Sequence, residues 1–513
     1  NNVKINSGTH LWGLDTTKTT DQLIHELGDD PELKVACIGP AGENLVRYAC
    51  IINDKYRAAG RCGLGAVMGS KNLKAIAVRG TGAVEVADFQ KFMMLVDDAR
   101  VRYTRGRWGD ACQASLGTYG TTGLIEAENE IGRLPTRNHW SGVFKDFEAI
   151  GSRTIRKLYR KKRKSCFGCN IQCKYVSCVD AGKYAGSCSD GPEYETVMAF
   201  GSNCLNTDLA SIIHANMLCN LFGLDTISTG KVISFMMECS SEPACHEFFG
   251  MYPDSKIAWA DADKMIELIH KIAYRKGVGE ILAEGTKLAA EKIGGGAQHF
   301  AIQVKGMELS GQDGRAHKSV GLTHAISVRG ADHLRALSSL DELGYDDVVR
   351  ERYPANDVNK ILNLRTEACK GRLIVDMEDL YAIVDSLLIC KYGTMWPPIF
   401  YFDDFANIIP ATTGFDEYAD IDYVRQVAKR ICLLRRAFNA REGITRKDDT
   451  LPARLLREPM PEGPAKGEIV HLDPMLDEFY EFRGCDITTG MPTEDALSSV
   501  GLEDVAKALS KLT

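Results

Sequence analysis

Cys166, Cys169 and Cys173 stand in the stretch "CFGCNIQC", spaced C-x2-C-x3-C, directly after a run of positive charge. Thiolates this close in sequence are soft donors that suit zinc or an iron–sulfur cluster, and either group needs a fourth ligand. Cys178 could complete a zinc site locally, whereas a cluster often takes its last thiolate from far along the chain. The spacing is the reverse of the C-x3-C-x2-C run of radical SAM clusters, which sets that chemistry aside. Thiols that merely pack would follow an apolar periodicity, and "CFGCNIQC" has little. Cys178 and Cys188 have no such spacing and read as ordinary thiols.

Other stretches carry weaker signals. "RAAGRCGLGAVMGSKN" (57–72) is glycine-rich with Arg and Lys interleaved. Such a segment can lie against phosphate, although tight packing in a turn is its commoner use. Glu195 in "PEYE" and His333 in "RGADHLRA" could move protons, but a Glu near a helix start is usually a cap and a lone His usually lies at the surface. The cations from Arg153 to Lys164 would ordinarily form a solvated helix face.

The elements that must position these residues read as follows. "KVACIG" (34–39) and "LKAIAVRG" (73–80) look like buried strands ended by glycine, and "TTDQLIHELG" (19–28) like a helix with a Gly stop. "RGTGAV" (79–84) marks a boundary, beyond which helices dominate. "DLASIIHANMLCNLFG" opens on Asp208 as an N-cap and closes at Gly223, and "EDLYAIVDSLLIC" (378–390) and "DYVRQVAKRICLLRRAFNAREG" (422–443) have similar periodicity. The expected fold class is α+β, predominantly α: a remnant of an N-terminal α/β domain over 1–83, a helical domain with the cluster cysteines over 84–300, and a second helical domain over 301–513. With 513 residues, 44% of them hydrophobic, such cores can be filled. A net charge of -7 argues against a nucleic-acid binder, and no apolar run reaches membrane-spanning length. Seventeen cysteines in a long chain opening without a signal peptide read as reduced thiols in the cytoplasm. The opening "NNVKINSGTHLWG" lacks Met and reads as an edge strand.

Several blocks together closely resemble the tungsten-containing aldehyde:ferredoxin oxidoreductases. They are "IGPAGENLVRYACIINDKYRAAGRCGLGAVMGSKNLKAIAV" (38–78), "DGPEYETVMAFGSN" (190–203), "NLFGLDTISTG" (220–230), "DDTLPARLLREPMPEGPAKG" (448–467) and "DEFYEFRG" (477–484). The resemblance implies one [4Fe-4S] cluster beside a metal held by two molybdopterins, tungsten or molybdenum being left open. It makes Cys390, at the end of "DSLLIC", the fourth cluster ligand, with Cys178 the fallback. "NLFGLD" and "DSLLIC" become a matched pair of pterin segments, so that Asn220, Gly223, Leu224, Asp225, Asp385 and Ile389 are cofactor-binding. Asp225 and Asp385 would each accept paired N–H groups of a pterin ring. Two residues depart from the pattern: Asn220 stands where an acid is common, and Leu388 where Gly is usual, which bears on the backbone path to Cys390. Arg57 would pair with pterin phosphate and the Ala58 carbonyl would meet a bridging magnesium, while Cys62, also at a usual Gly, receives no role.

The resemblance also reverses the bland readings of Glu195 and His333. Both become catalytic, Glu195 as a general base in a closed pocket and His333 as a hydrogen-bond donor to the substrate or to oxygen on the metal, with Glu193 and Arg335 supporting them. The implied reaction oxidises a small aldehyde to a carboxylate, with ferredoxin as electron acceptor and neither nucleic acid nor membrane as partner. Aromatic acyl-CoA reduction on the same scaffold and a non-catalytic iron–sulfur subunit are the rivals. A homodimer or separate electron-transfer subunits are the assemblies it allows. It further implies a longer, mostly β region ahead of "NNVKINSGTHLWG", so the isolated chain is expected to hold no stable bis-pterin cofactor and to be inactive.

Overall fold

The computed structural model describes residues 3–394 and 398–511. It is 54% helix and 7% strand, a predominantly helical α+β fold with small sheets. Among the described residues no helix is long and apolar enough to cross a membrane.

Residues 3–8 have no regular structure and leave Val3 and Ile5 exposed, so among the described residues the expected edge strand does not form. Helix α1, Thr16–Glu26, then starts three residues before the predicted helix because the Asp15 carboxylate accepts from the Lys18 N–H. Its Leu23 and Ile24 cover Leu33, Val35 and Cys37. That small core holds a four-stranded antiparallel sheet ordered β3-β2-β1-β4, with β1 Lys34–Cys37, β2 Ile51–Asn53, β3 Arg57–Ala59, and β4 Ala75–Val78. Between β3 and β4 lies the short helix α2, Leu64–Ser70. The expectation of two buried strands holds for β1 alone; β4 is an edge strand with Ile76 and Val78 open to solvent.

Helix α3, Phe89–Thr104, follows the boundary. The basic run beyond it is not one helix face: it divides between a helix over Ser152–Leu158 and strand β5, Arg160–Lys164. Strand β5 is the edge of a three-stranded antiparallel sheet with β6, Lys174–Cys178, and β7, Cys188–Asp190. The β6–β7 register sets Cys178 directly opposite Cys188, and the two are joined as a disulfide. Neither is therefore the ordinary thiol expected, and Cys178 is not free to serve as the fallback ligand.

The helices that carry the site follow in order: α4, Tyr194–Phe200; α5, Leu209–Phe222; α6, Thr226–Ser241; and α7, Lys370–Ser386. Helix α8, Phe402–Thr413, packs against α3, where Arg102 donates to Asp404 at 2.8 Å. Helices α9, Ile421–Arg441, and α10, Leu472–Arg483, lie on α7. One large apolar cluster draws its residues from Ala41 to Ala301, and another, joined by Ala99, from Ile302 to Cys485. Between these cores the fully buried Arg133 joins Glu128 to Glu342 and His317. A guanidinium here offers enough donors for several partners at once, as burial requires.

Helices α7 and α10 approach so closely that only glycine fits at 371. A Cβ there would stand 2.4 Å from the Phe479 backbone nitrogen. Gly371→Val should therefore lower unfolding stability by about 1–3 kcal/mol through overpacking. Thermal unfolding checks this, and an unchanged melting temperature would show that the helices can separate freely.

Candidate functional site

Two helices end in the same way. Helix α5 reverses at Gly223, in the left-handed region at φ 72°, with the Leu224 N–H donating to the Cys219 carbonyl at 2.8 Å. After helix α7 the chain reverses at Leu388, φ 57°, with the Ile389 N–H donating to the Val384 carbonyl at 3.0 Å. Both are the closing bonds of a glycine-type helix stop, so "NLFGLD" and "DSLLIC" superpose by role. Asn220 matches Asp385, Leu224 matches Ile389, and Asp225 matches Cys390. Leu388 thus keeps the path a glycine would take, at the cost of roughly 1–2 kcal/mol that a side chain meets there.

The acids at these ends are held by cations. Asp225 caps α6, accepting from Ile227 at 3.0 Å and Ser228 at 3.4 Å, and it also accepts from Arg61 Nε at 3.3 Å. Asp385 is paired with both Arg335 and Lys391. The Asn220 carbonyl accepts from Thr16 Oγ1 at 2.7 Å, which ties α1 to the end of α5. Arg57 and Ala58 lie on β3, with Arg57 partly exposed and 3.7 Å from Asp190.

Arg61 was not singled out from the sequence, and it does more than its neighbours. Buried in the glycine-rich loop, it reaches Asp225, the Ala331 carbonyl at 3.0 Å and the Glu308 carbonyl. One guanidinium so joins the first sheet, the start of α6 and the loop that presents His333. The interleaved "RAAGRCG" was the available signal, but it offered two arginines and nothing to tell them apart.

The four candidate cluster cysteines lie within electrostatic reach of one another. The Cys173 thiol is pushed up to about 12, first by burial and then by Glu193, Cys390, Cys169 and Cys166. Cys390 is raised by the protein packed around it, and it too feels Cys169 and Cys166. The loop that carries Cys166, Cys169 and Cys173 is clamped by Arg163, which donates to the Gln172 and Ile171 carbonyls, both at 3.0 Å. Among the described residues no three Cys, His, Asp or Glu side chains close on a point that would hold one metal ion. Four thiolates are the donor set that a [4Fe-4S] cluster would take.

Glu195 lies in the first turn of α4 without capping it. Its Oε2 accepts from the Gly311 N–H at 2.8 Å and its Oε1 from Gln312 Nε2 at 2.9 Å. Behind Gln312 runs a buried chain that the sequence did not reveal: Ser310 Oγ donates to Gln312 Oε1 at 3.0 Å and meets His324 Nε2 at 2.7 Å. Since the Ser310 proton is committed to Gln312, His324 must donate, which turns the Gln312 amide N–H toward Glu195. His333 Nε2 faces Glu195 Oε1 at 3.6 Å, longer than a hydrogen bond. Glu193, half-buried and within electrostatic reach of Cys173, accepts from Thr121, and loss of water around it raises its carboxyl.

The surroundings fit a bulky polar group. His333 Nδ1, Asp332 Oδ1 and Arg335 Nε are buried without a hydrogen-bond partner among the described residues. Buried polar atoms are rarely left so, and these lie in the one short loop that runs toward Asp385. Paired carboxylates, arginines and spare polar atoms match a pterin's donors and phosphate.

Comparison with known proteins follows the same lines. The family described as "Aldehyde ferredoxin oxidoreductase, domains 2 & 3" matches residues 103–502 and its N-terminal domain matches residues 1–80, so that domain is represented in this chain, against the expectation that most of it is missing and the chain inactive. A tungsten-containing aldehyde ferredoxin oxidoreductase of Thermococcus kodakarensis is 37% identical, over 96% of this chain and 77% of its own. One from Pyrococcus horikoshii is 38% identical, over 98% and 79%. An aliphatic sulfonate oxidoreductase, WOR-like subunit, of Pyrococcus furiosus is 29% identical, over 99% and 78%. Among solved structures the BamBC complex of benzoyl coenzyme A reductase shares the fold, with a TM-score of 0.80 over 100% of this chain and 80% of that one at 24% identity.

Two expected outcomes test this geometry. Cys390→Ala should abolish or convert the [4Fe-4S] signal in electron paramagnetic resonance, while Cys178→Ala leaves it intact; the opposite pattern would refute the ligand set. The second concerns acid. Burial pushes His139 down to about 3 and His317 down to about 4, and it lowers His324 and His333 as well. An unfolded histidine titrates near ~6.5, so as the pH falls the unfolded chain binds these protons first. The stability they contribute is complete above about 6.5 and drains away toward the folded values. Melting temperature should fall steadily from pH 7 to pH 4, and a flat profile would contradict neutral burial.

Proposed function

Because the chain belongs to the aldehyde ferredoxin oxidoreductase family, we propose that it oxidises an aldehyde to a carboxylate and gives the two electrons to ferredoxin. The observation that carries this reading is the 3.6 Å gap between Glu195 and His333, set beside two matched helix ends and a four-thiol group. Asp225, Asp385, Arg335, Arg57, the Ala58 carbonyl and the backbone at Asn220, Gly223, Leu224 and Ile389 would hold the bis-pterin group and its magnesium, and Cys166, Cys169, Cys173 and Cys390 would hold the cluster. When bound, the metal–pterin group would supply a two-electron acceptor and the cluster a one-electron relay.

The side chains handle the proton and the carbonyl. Oxidation of an aldehyde takes its oxygen from water, so a base must remove a proton as the carbon–oxygen bond forms. Glu195 is already fixed by two donors, one from a backbone N–H and one from Gln312, and keeps lone pairs free for that proton. His333 is neutral near pH 7, since burial outweighs the pull of Glu195 and Asp332. A neutral imidazole donating from Nε2 polarises the aldehyde carbonyl without bringing a full charge into the site. At 3.6 Å the base and the donor leave no room between them, so a substrate oxygen would sit to one side, within reach of both.

Glu195→Gln preserves shape and removes the base. Turnover with aldehyde should fall by about 10²–10⁴ while iron and tungsten content stay unchanged. Wild-type turnover in that variant would take Glu195 out of the chemistry. Substantial rates with aromatic acyl-CoA, and none with aldehydes, would replace the reaction itself.

A further inference from the structure

We propose that the surface over the four cysteines is the docking face for an acidic one-electron carrier protein, and that Phe167 and Leu388 are its apolar contacts. This rests on the redox reading of the site and deepens it by naming the surface used. Two large apolar side chains stand in the open beside the cluster ligands: Phe167, between Cys166 and Cys169, is fully exposed, and Leu388, two residues before Cys390, is 92% exposed. Cys169 and Cys173 from one segment and Tyr392 from the other pack against the same small cluster of Cys112, Leu116 and Ile171, so the two segments lie side by side.

Neither residue is there for the fold. Phe167 covers nothing, and its loop is secured from the other side by Arg163. Leu388 holds a left-handed backbone that glycine would adopt freely, while its side chain buries almost no surface in return. A position that bears both strain and an exposed apolar group points to a use beyond folding.

Charge identifies the partner. The chain is net -7, yet residues 153–164 carry eight Lys and Arg and no acid, and they lead directly into Cys166. Several are already engaged: Lys161 pairs with Asp180, Lys164 with Asp190, and Arg163 with the loop. Arg153, Lys157 and Lys162 are exposed and have no ion pair among the described residues. A basic rim round an apolar tip complements an acidic protein with an apolar centre, and it repels a second basic face of the same kind. The site's reaction, RCHO + H2O → RCOO⁻ + 3H⁺ + 2e⁻, releases two electrons, so two carriers must each dock, accept one electron and leave. Fast, salt-sensitive encounter suits that traffic better than tight binding.

The test uses the fully loaded enzyme with reduction of a small viologen dye, reduction of an acidic ferredoxin, and a direct titration of ferredoxin binding. The charge reversals Lys157→Glu and Lys162→Glu together should lower kcat/KM for ferredoxin by about tenfold and flatten its dependence on salt, with dye reduction unchanged. Phe167→Ser should weaken binding in the titration. Leu388→Gly should raise the melting temperature and weaken ferredoxin binding in the same protein, a combination a purely structural leucine would not give. Unchanged binding and salt dependence in all variants, with dye reduction intact, would overturn the proposal. So would a dimer of this chain that Phe167→Ser dissociates, since the face would then be a contact between copies. Loss of dye reduction in the unaltered enzyme would instead refute the aldehyde reading.

Discussion

The site depends on one buried guanidinium. Arg61 leaves the first sheet's loop and ends among the Asp225 carboxylate and two backbone carbonyls from the later half of the chain. Removing such a cation would strand a buried carboxylate and free two loops at once, which is why buried pairs matter more when broken than when counted. Arg61 fixes the start of α6, whose cap is Asp225, and the loop at Ala331 that runs directly into His333. The alignment of one helix end with the histidine is thus set by a residue that bonds the first and reaches the second only through the loop at Ala331.

Around that tie the fold uses one device twice. A helix reverses through a left-handed residue and hands the chain to a polar residue immediately afterwards, Asp225 in one case and Cys390 in the other. The first end is finished by capping a further helix and the second by joining the cysteine group. Each reversal also sits beside an acid–cation pair, so charge is balanced where negative phosphate and sulfur would be brought in. Glu195 and His333 are then set against each other by separate means, a chain of donors ending at His324 and the short loop secured by Arg61. Each is therefore held in place without a hydrogen bond to the other.

Much of this was legible in the sequence, and the exceptions have physical reasons. The boundaries of α5 were readable because Asp208 and Gly223 are local signals that act through their own backbone. The cysteine spacing was readable for the same reason, although Cys390 depended on a resemblance. Strand β4 was misread because an apolar run does not say whether a second neighbour covers it, and the run ending at Lys164 because charge does not distinguish a helix from an edge strand. Cys178 and Cys188 pair through sheet register, a property of two strands that neither displays alone. Arg61 and the Gln312–Ser310–His324 chain were invisible since their partners lie far away in sequence.

The central claim is that the matched helix ends, the four thiols and the Glu195–His333 gap form one redox centre. Anomalous X-ray scattering at the iron and tungsten edges, on crystals of anaerobically prepared enzyme, tests it most directly. The account predicts iron density at Cys166, Cys169, Cys173 and Cys390, and a tungsten peak between the two helix ends that faces Glu195 and His333. Iron at the cysteines with no heavier metal between the helix ends, or tungsten bound elsewhere, would contradict it.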